Sequence, residues 1–198
     1  MRTTTLPDEL NIDNSNHIQL FDYHSSKEIT KQQITLNQNT ISFLIQGSKE
    51  VYFNNSTLSV ENSEFLIMKS GHCLMTEKLS EIKHYRSLLL FFSNEVLLNF
   101  AQKNSLLTLK PSAHKSVYSF PYDVFIKSFV TSLLDISNLS KKTQEKMLVL
   151  KLEEIFLYLL DQFGTDFFSS LIANSDNATN QFTQTVRLCK NSLNFLMI

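Results

Sequence analysis

Histidine and cysteine are the side chains of this chain that are best suited to metal binding. A metal centre needs several nitrogen, oxygen or sulfur ligands that converge at about 2 Å. The histidines do not occur in HxH, HxxxH or HExxH spacing, and they are His17, His24, His72, His84 and His114. His72 and Cys73 are adjacent, so in a strand their side chains point to opposite faces and cannot chelate one ion together. The sequence therefore predicts no metal site.

Nucleophilic and phosphate chemistry also lack their usual signals. The chain contains no GxSxG motif, and its three glycines cannot form a phosphate-binding loop. Glu153 and Glu154 are consecutive, and consecutive helical positions do not face each other, so we interpret them as part of a solvated helix face. Cys73 and Cys189 are widely separated and are interpreted as two buried or half-buried thiols. We expect no catalytic residue and no cofactor.

The first half of the chain has the pattern of short β-strands. Between Phe43 and Met75, short apolar stretches alternate with turn signals such as Gly47 and Gly71, which is typical of a small antiparallel barrel. Period-two alternation selects apolar and aromatic side chains for its interior, where they either line an effector pocket or fill the space themselves. These candidate interior residues are Ile41, Phe43, Ile45, Val51, Phe53, Phe65 and Tyr85.

The hydrophobic period changes from 2 to 3.6 after Ser93, which predicts helices in the second half. Gly164 is suited to end the longest of them. The segment 141–163 is apolar on more than one face, and such a helix must be buried in a large core or against a partner. We therefore predict a dimer interface on this helix. Its candidate residues are Leu148, Leu152, Ile155, Phe156 and Leu159.

Composition limits the possible function classes. The chain has 198 residues, 42% of them hydrophobic, which is enough for a real core. Its net charge is −1, so no global basic field exists to hold DNA. The sequence contains no run of 18 consecutive apolar residues, which a membrane-spanning helix would need. The first ten residues, MRTTTLPDEL, lack the apolar region of a secretory signal. A reduced, cytoplasmic location is therefore expected.

The order of these patterns predicts an α+β protein in which helices pack on one side of an antiparallel β-barrel. Four segments are expected. Residues 1–16 form a flexible arm, 17–113 the β-barrel domain, 114–173 a helical dimerisation segment, and 174–198 a linker together with the start of a further domain.

The sequence resembles a known family. FLIQGSKEVYFNNSTLSVENSEFLIMKSG looks like the cupin-type N-terminal domain of AraC/XylS transcriptional regulators, with a strand that ends at Gly47 and a turn at Gly71. KMLVLKLEEIFLYLLDQFG followed by FFSSL is similar to the dimerisation helices of that family, and most similar to the subgroup that includes activators of type III secretion. The resemblance covers about residues 17–172.

The resemblance implies a cupin-like regulatory and dimerisation domain that senses a small effector or a regulatory protein. It implies a homodimer, with DNA bound only through a C-terminal helix-turn-helix domain that this chain lacks. Residues 174–181 resemble the linker to that domain. Two alternatives remain at this stage: a metal-dependent cupin enzyme, such as an isomerase or a dioxygenase, and a stand-alone ligand-binding module.

Overall fold

Strands precede helices along most of the chain, as the hydrophobic periods predict. The computed structural model describes residues 3–10, 17–53, 56–106 and 115–194. The strands of these segments are β1 (Thr3–Leu6), β2 (Ile18–Ser25), β3 (Ile29–Leu36), β4 (Asn39–Gln46), β5 (Ser48–Phe53), β6 (Ser56–Glu61), β7 (Glu64–Met68), β8 (Gly71–Lys78), β9 (Tyr85–Phe92) and β10 (Val117–Pro121).

The strands form two five-stranded sheets instead of one closed ladder. The first sheet has the order β1-β3-β8-β5-β6. The second, which we call the helix-covered sheet, has the order β10-β7-β4-β9-β2. All neighbouring strands are antiparallel except β1 and β3, which are parallel. The fold class is therefore α+β as predicted, with the barrel realised as a pair of facing sheets.

Gly47 lets the chain pass from one sheet to the other between β4 and β5. Its φ of +89° lies in the left-handed region, which glycine adopts without steric cost. A Cβ at this position would lie only 2.4 Å from the carbonyl oxygen of Lys78 and 2.9 Å from the Tyr85 ring. This close approach of backbones requires a residue without a side chain.

Three helices follow the strands: α1 (Asn94–Lys103), α2 (Val124–Ile136) and α3 (Lys141–Asn194). Ser93 and Asp123 cap the first two by accepting hydrogen bonds from the backbone amides of Val96 and Ile126. The α3 helix is broken at Gly164, where φ is +74° and ψ is −176°. The sequence predicts a helix end at this glycine, and the backbone confirms it.

The main core lies between the helix-covered sheet and the helices. It joins strand residues such as Phe43 and Leu90 to Phe100 of α1, Phe129 of α2 and Phe156 of α3. Each side chain buried to this degree contributes roughly 1.5–3 kcal/mol. This cluster holds all three helices on one face of the β region, as the β-then-α order predicts.

A second, smaller core lies between the two sheets. It includes Val51 and Phe53 of β5, Leu44 of β4, Met75 of β8 and Tyr85 of β9. The β4 and β9 strands are buried on both faces because one face meets this core and the other meets the helices.

Three of the predicted segments differ from the structure. Within the predicted arm, Thr3–Leu6 pair with β3 and Asp8–Leu10 form a short 3-10 helix, while 1–2 and 11–16 lie outside the described residues. The predicted helical segment 114–173 contains β10, which completes the edge of the helix-covered sheet. The backbone is helical to Asn194, through the predicted linker, and 195–198 lie outside the described residues.

The described part of the chain contains no helix with the length and hydropathy that crossing a membrane requires.

Candidate functional site

A cavity of about 90 Å³ lies between the two sheets. Its wall is mostly apolar and includes Leu6 of β1, Ile34 of β3, Met68 of β7 and Met75 of β8. The N-terminal segment contributes to the wall because β1 pairs with β3 and forms the edge strand of the first sheet. We call this space the inter-sheet cavity.

Lys49 and Glu77 place opposite charges on the wall of the inter-sheet cavity. The two residues are direct partners in the ladder between β5 and β8, so their side chains leave the sheet on the same face. Lys49 is 2% exposed and Glu77 is 4% exposed. The Lys49 Nζ atom lies 3.3 Å from Glu77 Oε1, which makes this a buried ion pair.

Hydroxyl groups of the opposite sheet complete the surroundings of Lys49. Its ammonium donates a hydrogen bond of 3.2 Å to Ser42 Oγ, and Ser42 and Ser87 are joined by a bond of 2.8 Å. The Lys49 Nζ atom also lies 5.8 Å from the centroid of the Tyr85 ring, within the range of a cation–π contact. The two sheets are therefore bridged by a polar group inside an otherwise apolar space.

Two tyrosines lie beside the Glu77 carboxylate. Burial raises the pKa of the Tyr85 phenol well above its usual value, and the negative charge of Glu77 raises it further. The same two causes, in the same order, raise the pKa of Tyr23. Both phenols therefore keep their protons at physiological pH. Of the two, Tyr23 lines the inter-sheet cavity together with Lys49, so an anion in the cavity would meet an ammonium and one potential hydroxyl donor.

Cys73 also belongs to the core between the sheets, but its chemistry is suppressed. Burial raises the pKa of its thiol to about 11, and the positive charge of Lys49 only partly opposes this effect. The thiolate is the reactive form of cysteine, so this thiol is inert at neutral pH. His72, its neighbour, is exposed and lies on the other face of β8, as period two predicts.

The predicted interior residues divide between the two cores. Val51, Phe53 and Tyr85 lie between the sheets. Ile41, Phe43 and Phe65 do not: they lie on the opposite face of the helix-covered sheet, in the core beneath the helices, and Ile45 packs against that core. Their placement is a correction. Both faces of β4 are apolar enough to be buried, so alternation alone could not identify the inner face.

The predicted interface residues of α3 are buried within their own chain. Leu148, Leu152, Ile155, Phe156 and Leu159 all belong to the core under the helices. This is also a correction, because these side chains are the ones that attach α3 to the sheet. The apolar side chains that α3 leaves to solvent are different, and they include Leu150 at 60% exposure and Leu157 at 46%.

The part of the chain that the structure describes contains no cluster of metal-ligating side chains. Within it, no three His, Cys, Asp or Glu side chains are grouped closely enough to hold one. Lys49 and Glu77 lie on the wall of the inter-sheet cavity instead.

The fold and the cavity can now be compared with known proteins. The family model described as "ExsA N-terminal regulatory domain" matches residues 39–170. This match contains β4 to β10 and all of α1 and α2. It also contains α3 from its start to residue 170, shortly after the break at Gly164. A search of curated protein sequences gave no match.

Solved structures of ToxT from Vibrio cholerae share the fold. An apo form of a ToxT variant is 11% identical, with a TM-score of 0.57 over 77% of this chain and 59% of that chain. A second ToxT structure is 12% identical, with a TM-score of 0.52 over 75% and 58% of the two chains. A third, bound to (E)-4-(8-methylnaphthalen-1-yl)but-3-enoic acid, is 12% identical, with a TM-score of 0.52 over 77% and 60%. The chain thus spans about three-fifths of these ToxT chains.

The facing sheets with helices on one side define a cupin-like α+β domain, and the ToxT structures share this fold. Within that class, the chain belongs to the family of ExsA N-terminal regulatory domains. The resemblance found in the sequence is confirmed.

Proposed function

We propose that this domain senses a small effector and pairs two subunits of an AraC-type transcription regulator in the cytoplasm. Contact with DNA belongs to a helix-turn-helix domain outside this chain. The domain itself performs no catalysis. Pairing sets the spacing of two DNA-binding heads and raises their joint affinity for a double site.

The observation that carries the sensing part is the buried Lys49–Glu77 pair on the wall of the inter-sheet cavity. Taking two charges out of water is costly, and a buried ion pair is weak evidence for stability alone. A charged group at an otherwise apolar cavity is the usual way in which a binding site fixes the orientation of its ligand. This cavity is therefore the effector site.

The effector class follows from the groups on the wall. Lys49 supplies a cation, Tyr23 supplies a protonated hydroxyl, and most of the remaining wall is apolar. A carboxylic acid with an apolar body matches this arrangement. The ToxT structure bound to a naphthyl-substituted butenoic acid supports the choice, since that ligand has both parts.

The cavity must expand to hold such a molecule. Its present volume of about 90 Å³ is well below the roughly 300–1,000 Å³ of typical ligand sites. Met68 and Met75 are on its wall, and unbranched methionine side chains rearrange at little cost. The incoming carboxylate replaces Glu77 as the partner of Lys49.

Calorimetric titration with (E)-4-(8-methylnaphthalen-1-yl)but-3-enoic acid, the ligand of the third ToxT structure, tests the sensing part. Glu77→Gln removes the competing carboxylate, so the acid binds this variant more tightly than wild type. The double variant Lys49→Met/Glu77→Leu removes the cation and binds it at least about tenfold more weakly. Lys78→Met, which removes an exposed lysine of β8, is the matched control and binds as wild type does. Equal binding by the double variant and wild type excludes this cavity as the site.

The pairing part rests on the exposed face of α3. Leu150 and Leu157 are one heptad apart and lie on the same side of the helix, away from the buried stripe. Lys146 precedes them and Asp161 follows them on that side. We call this set of four residues the α3 pairing face.

An antiparallel arrangement makes the α3 pairing face complementary to itself. About a two-fold axis near residues 153 and 154, Leu150 of one protomer meets Leu157 of its partner. The same operation brings Lys146 opposite Asp161, so opposite charges flank the leucines at both ends. A second copy of this chain is therefore the occupant of this face.

Sedimentation velocity over a range of protein concentrations tests the pairing. Wild type sediments as a dimer, and Leu150→Glu/Leu157→Glu sediments as a monomer because four glutamates would meet in the interface. Ile82→Glu introduces the same charge at an exposed apolar residue outside the helices and leaves the dimer intact. A wild-type monomer at high concentration contradicts the pairing and leaves the effector experiment unaffected.

A further inference from the structure

A second concavity, of about 500 Å³, lies beside β2, the last strand of the helix-covered sheet. Consecutive residues of β2, from Ile18 to Asp22, line it. Side chains of consecutive strand residues point to opposite faces of the sheet, so a space that touches all of them lies at the edge of the strand. Of the described residues, it shares only Leu10 with the inter-sheet cavity. We call this space the edge recess.

The hydrogen bonds between β2 and β9 show which main-chain groups of β2 face the edge recess. The amide of Ser93 donates to the carbonyl of His17 at 3.0 Å, one pair before Ile18 meets Phe92 in the ladder. Bonded and non-bonded pairs alternate in an antiparallel ladder, so the residues of β2 that bond to β9 are Gln19, Phe21, Tyr23 and Ser25. The N–H and C=O groups that point away from β9 are those of Ile18, Leu20, Asp22 and His24.

We call the main-chain groups of Ile18, Leu20, Asp22 and His24 the β2 edge. Among the residues that the structure describes, none forms a hydrogen bond with the β2 edge. Each of its residues offers one donor and one acceptor. A row of such groups is complementary to the main chain of another extended segment, which can add to the sheet as a further strand.

The edge strands of the described sheets differ in how well they resist such pairing. β2 has eight residues, against four in β1, six in β6 and five in β10, which ends at Pro121. Proline, lysine and a bulge commonly block an edge, and all three are absent from β2. Its one carboxylate, that of Asp22, accepts hydrogen bonds of 3.0 and 2.7 Å from Arg86 of β9 and is therefore held within the sheet.

Apolar side chains line the edge recess on the side of the helices. They are Ile136 of α2, Leu148 of α3 and Leu88 of β9, and Leu20 of β2 packs against the same core. A strand that pairs with the β2 edge would turn every second side chain toward this wall. The edge recess therefore fits a segment with apolar side chains at alternate positions.

The helices on its wall also make the edge recess better suited to a single segment than to a second copy of the chain. An added strand needs only the spacing of about 4.8 Å between neighbouring strands. A second copy that paired its own β2 here would bring its own α2 and α3 residues to the same place, since they line the same recess.

We propose that the β2 edge binds an extended segment of a partner protein as an added strand, with alternate apolar side chains turned toward Leu20, Ile136 and Leu148. Main-chain hydrogen bonds supply the affinity, and the apolar wall selects the alternation. The β2 edge is a second input to the domain. It requires neither an effector between the sheets nor a second subunit on the α3 pairing face.

A synthetic peptide tests this proposal. It has the length of β2, eight residues of alternating valine and threonine, with a lysine added at each end for solubility. Two derivatives carry N-methyl groups, one on the valine amides and the other on the threonine amides, so each loses the donors of one edge. Binding of the fluorescently labelled peptides to the full chain is followed by anisotropy. We expect one derivative to bind as the parent peptide does and the other at least about tenfold more weakly.

A pair of variants at Asp22 locates the binding. Asp22→Pro removes an N–H of the β2 edge without removing a bond to β9, and proline is tolerated where the N–H of an edge strand faces outward. Asp22→Ala is the matched control, because it loses the same carboxylate and the same bonds to Arg86 but keeps the N–H. We expect Asp22→Pro to bind the parent peptide at least about tenfold more weakly than Asp22→Ala. Circular dichroism checks that both variants fold.

Several outcomes overturn the proposal. They are no binding of the parent peptide, equal weakening by both N-methyl patterns, or equal binding by the two Asp22 variants. Equal binding of a peptide of the same composition with its valines three and four positions apart also overturns it, because the recess would then accept any apolar segment. Loss of self-association in Asp22→Pro alone would assign the edge to a second copy instead.

If Asp22→Pro does not fold, the two N-methylated peptides still decide the question on wild type. Since the naphthyl acid and the dimer are measured separately, failure here is distinguishable from failure of the proposed function.

Discussion

Lys49 and Glu77 depend on each other because neither side chain reaches bulk water. Removing one member leaves the other as an uncompensated charge in the inter-sheet cavity, which typically costs about 3–5 kcal/mol. Replacing both members with apolar side chains of similar volume removes the two desolvation penalties together. The stability of the fold and the function of the pair can therefore be separated experimentally.

We expect Lys49→Met alone to lower the free energy of unfolding by about 3–5 kcal/mol in urea titrations. The double variant Lys49→Met/Glu77→Leu returns to the wild-type value or exceeds it, since no charge is left unpaired. Lys78→Met, at an exposed lysine paired with Glu50, is the control and changes little. A double variant as unstable as the single one would show that the pair itself holds the sheets together.

Lys69 is a second buried lysine, and it does not line the inter-sheet cavity. It is 4% exposed, and its ammonium donates a hydrogen bond to the main-chain carbonyl of Ser170 in α3. Burial lowers the pKa of this lysine from 10.5 to about 8. Between these two values the unfolded chain binds the proton more strongly than the folded chain, so stability rises with pH across this window.

We expect the free energy of unfolding of wild type to rise, relative to that of Lys69→Met, as the pH increases from about 8 to about 10. Below this window both states keep the proton and the difference between the two proteins is constant. Urea titrations at a series of pH values measure the difference and cancel the titration of other groups. A difference that is flat or falls with pH would contradict a buried ammonium at this position.

At the scale of elements, the break in α3 at Gly164 changes the direction of the helical segment that contains Phe168. Before the break, Phe156 packs on Phe92 with ring centroids 5.1 Å apart; after it, Phe168 returns to Phe156 at 5.7 Å. A continuous straight helix could not bring both rings into one cluster. Gly164 provides the turn because its backbone conformation, with φ of +74° and ψ of −176°, is essentially restricted to glycine.

We therefore expect Gly164→Ala to lower the free energy of unfolding by about 1–3 kcal/mol. No atom lies within 4 Å of the Cβ that it adds, so the loss arises from backbone strain and not from a clash. Gln162→Ala, at an exposed helical position two residues earlier, is the control and has little effect in the same urea titration. An unchanged stability in Gly164→Ala would mean that the helix can run on without its break.

At the scale of the whole molecule, the buried stripe of α3 and the α3 pairing face have different roles. The buried stripe attaches the helix to its own sheet. The exposed side is the one on which we propose that a second copy of the chain docks. The antiparallel arrangement proposed above pairs Lys146 of one protomer with Asp161 of the other, twice in each dimer.

A charge exchange tests this arrangement. We expect Lys146→Asp to weaken the dimer, because two aspartates then meet at each end of the interface. Adding Asp161→Lys to it restores the attraction with reversed polarity, and the double variant recovers most of the wild-type affinity in sedimentation equilibrium. The weakening should shrink as salt increases, since exposed pairs are screened. A double variant weaker than Lys146→Asp would exclude the antiparallel register.

The sequence by itself determined the class of the fold and its family. The change of hydrophobic period at Ser93 separates strands from helices, and the glycines at 47 and 164 mark a crossover and a helix break. These signals are local, because they depend on residues that are neighbours along the chain. Lys49 was within reach of the same reasoning, since it alternates with Val51 and Phe53 along β5.

Only the tertiary structure decided which core or which element each buried face of a strand or helix packs against. Glu77 becomes the partner of Lys49 through the register of β5 on β8, two strands far apart in the chain. Ile41, Phe43 and Phe65 face the helices because β4 and β7 lie between two cores. The side chains of α3 that face the sheet pack in the core beneath the helices, and they include Leu148, Leu152, Ile155, Phe156 and Leu159. Period two or 3.6 tells which side chains share a face, but the partner of that face depends on long-range packing, which no local pattern encodes.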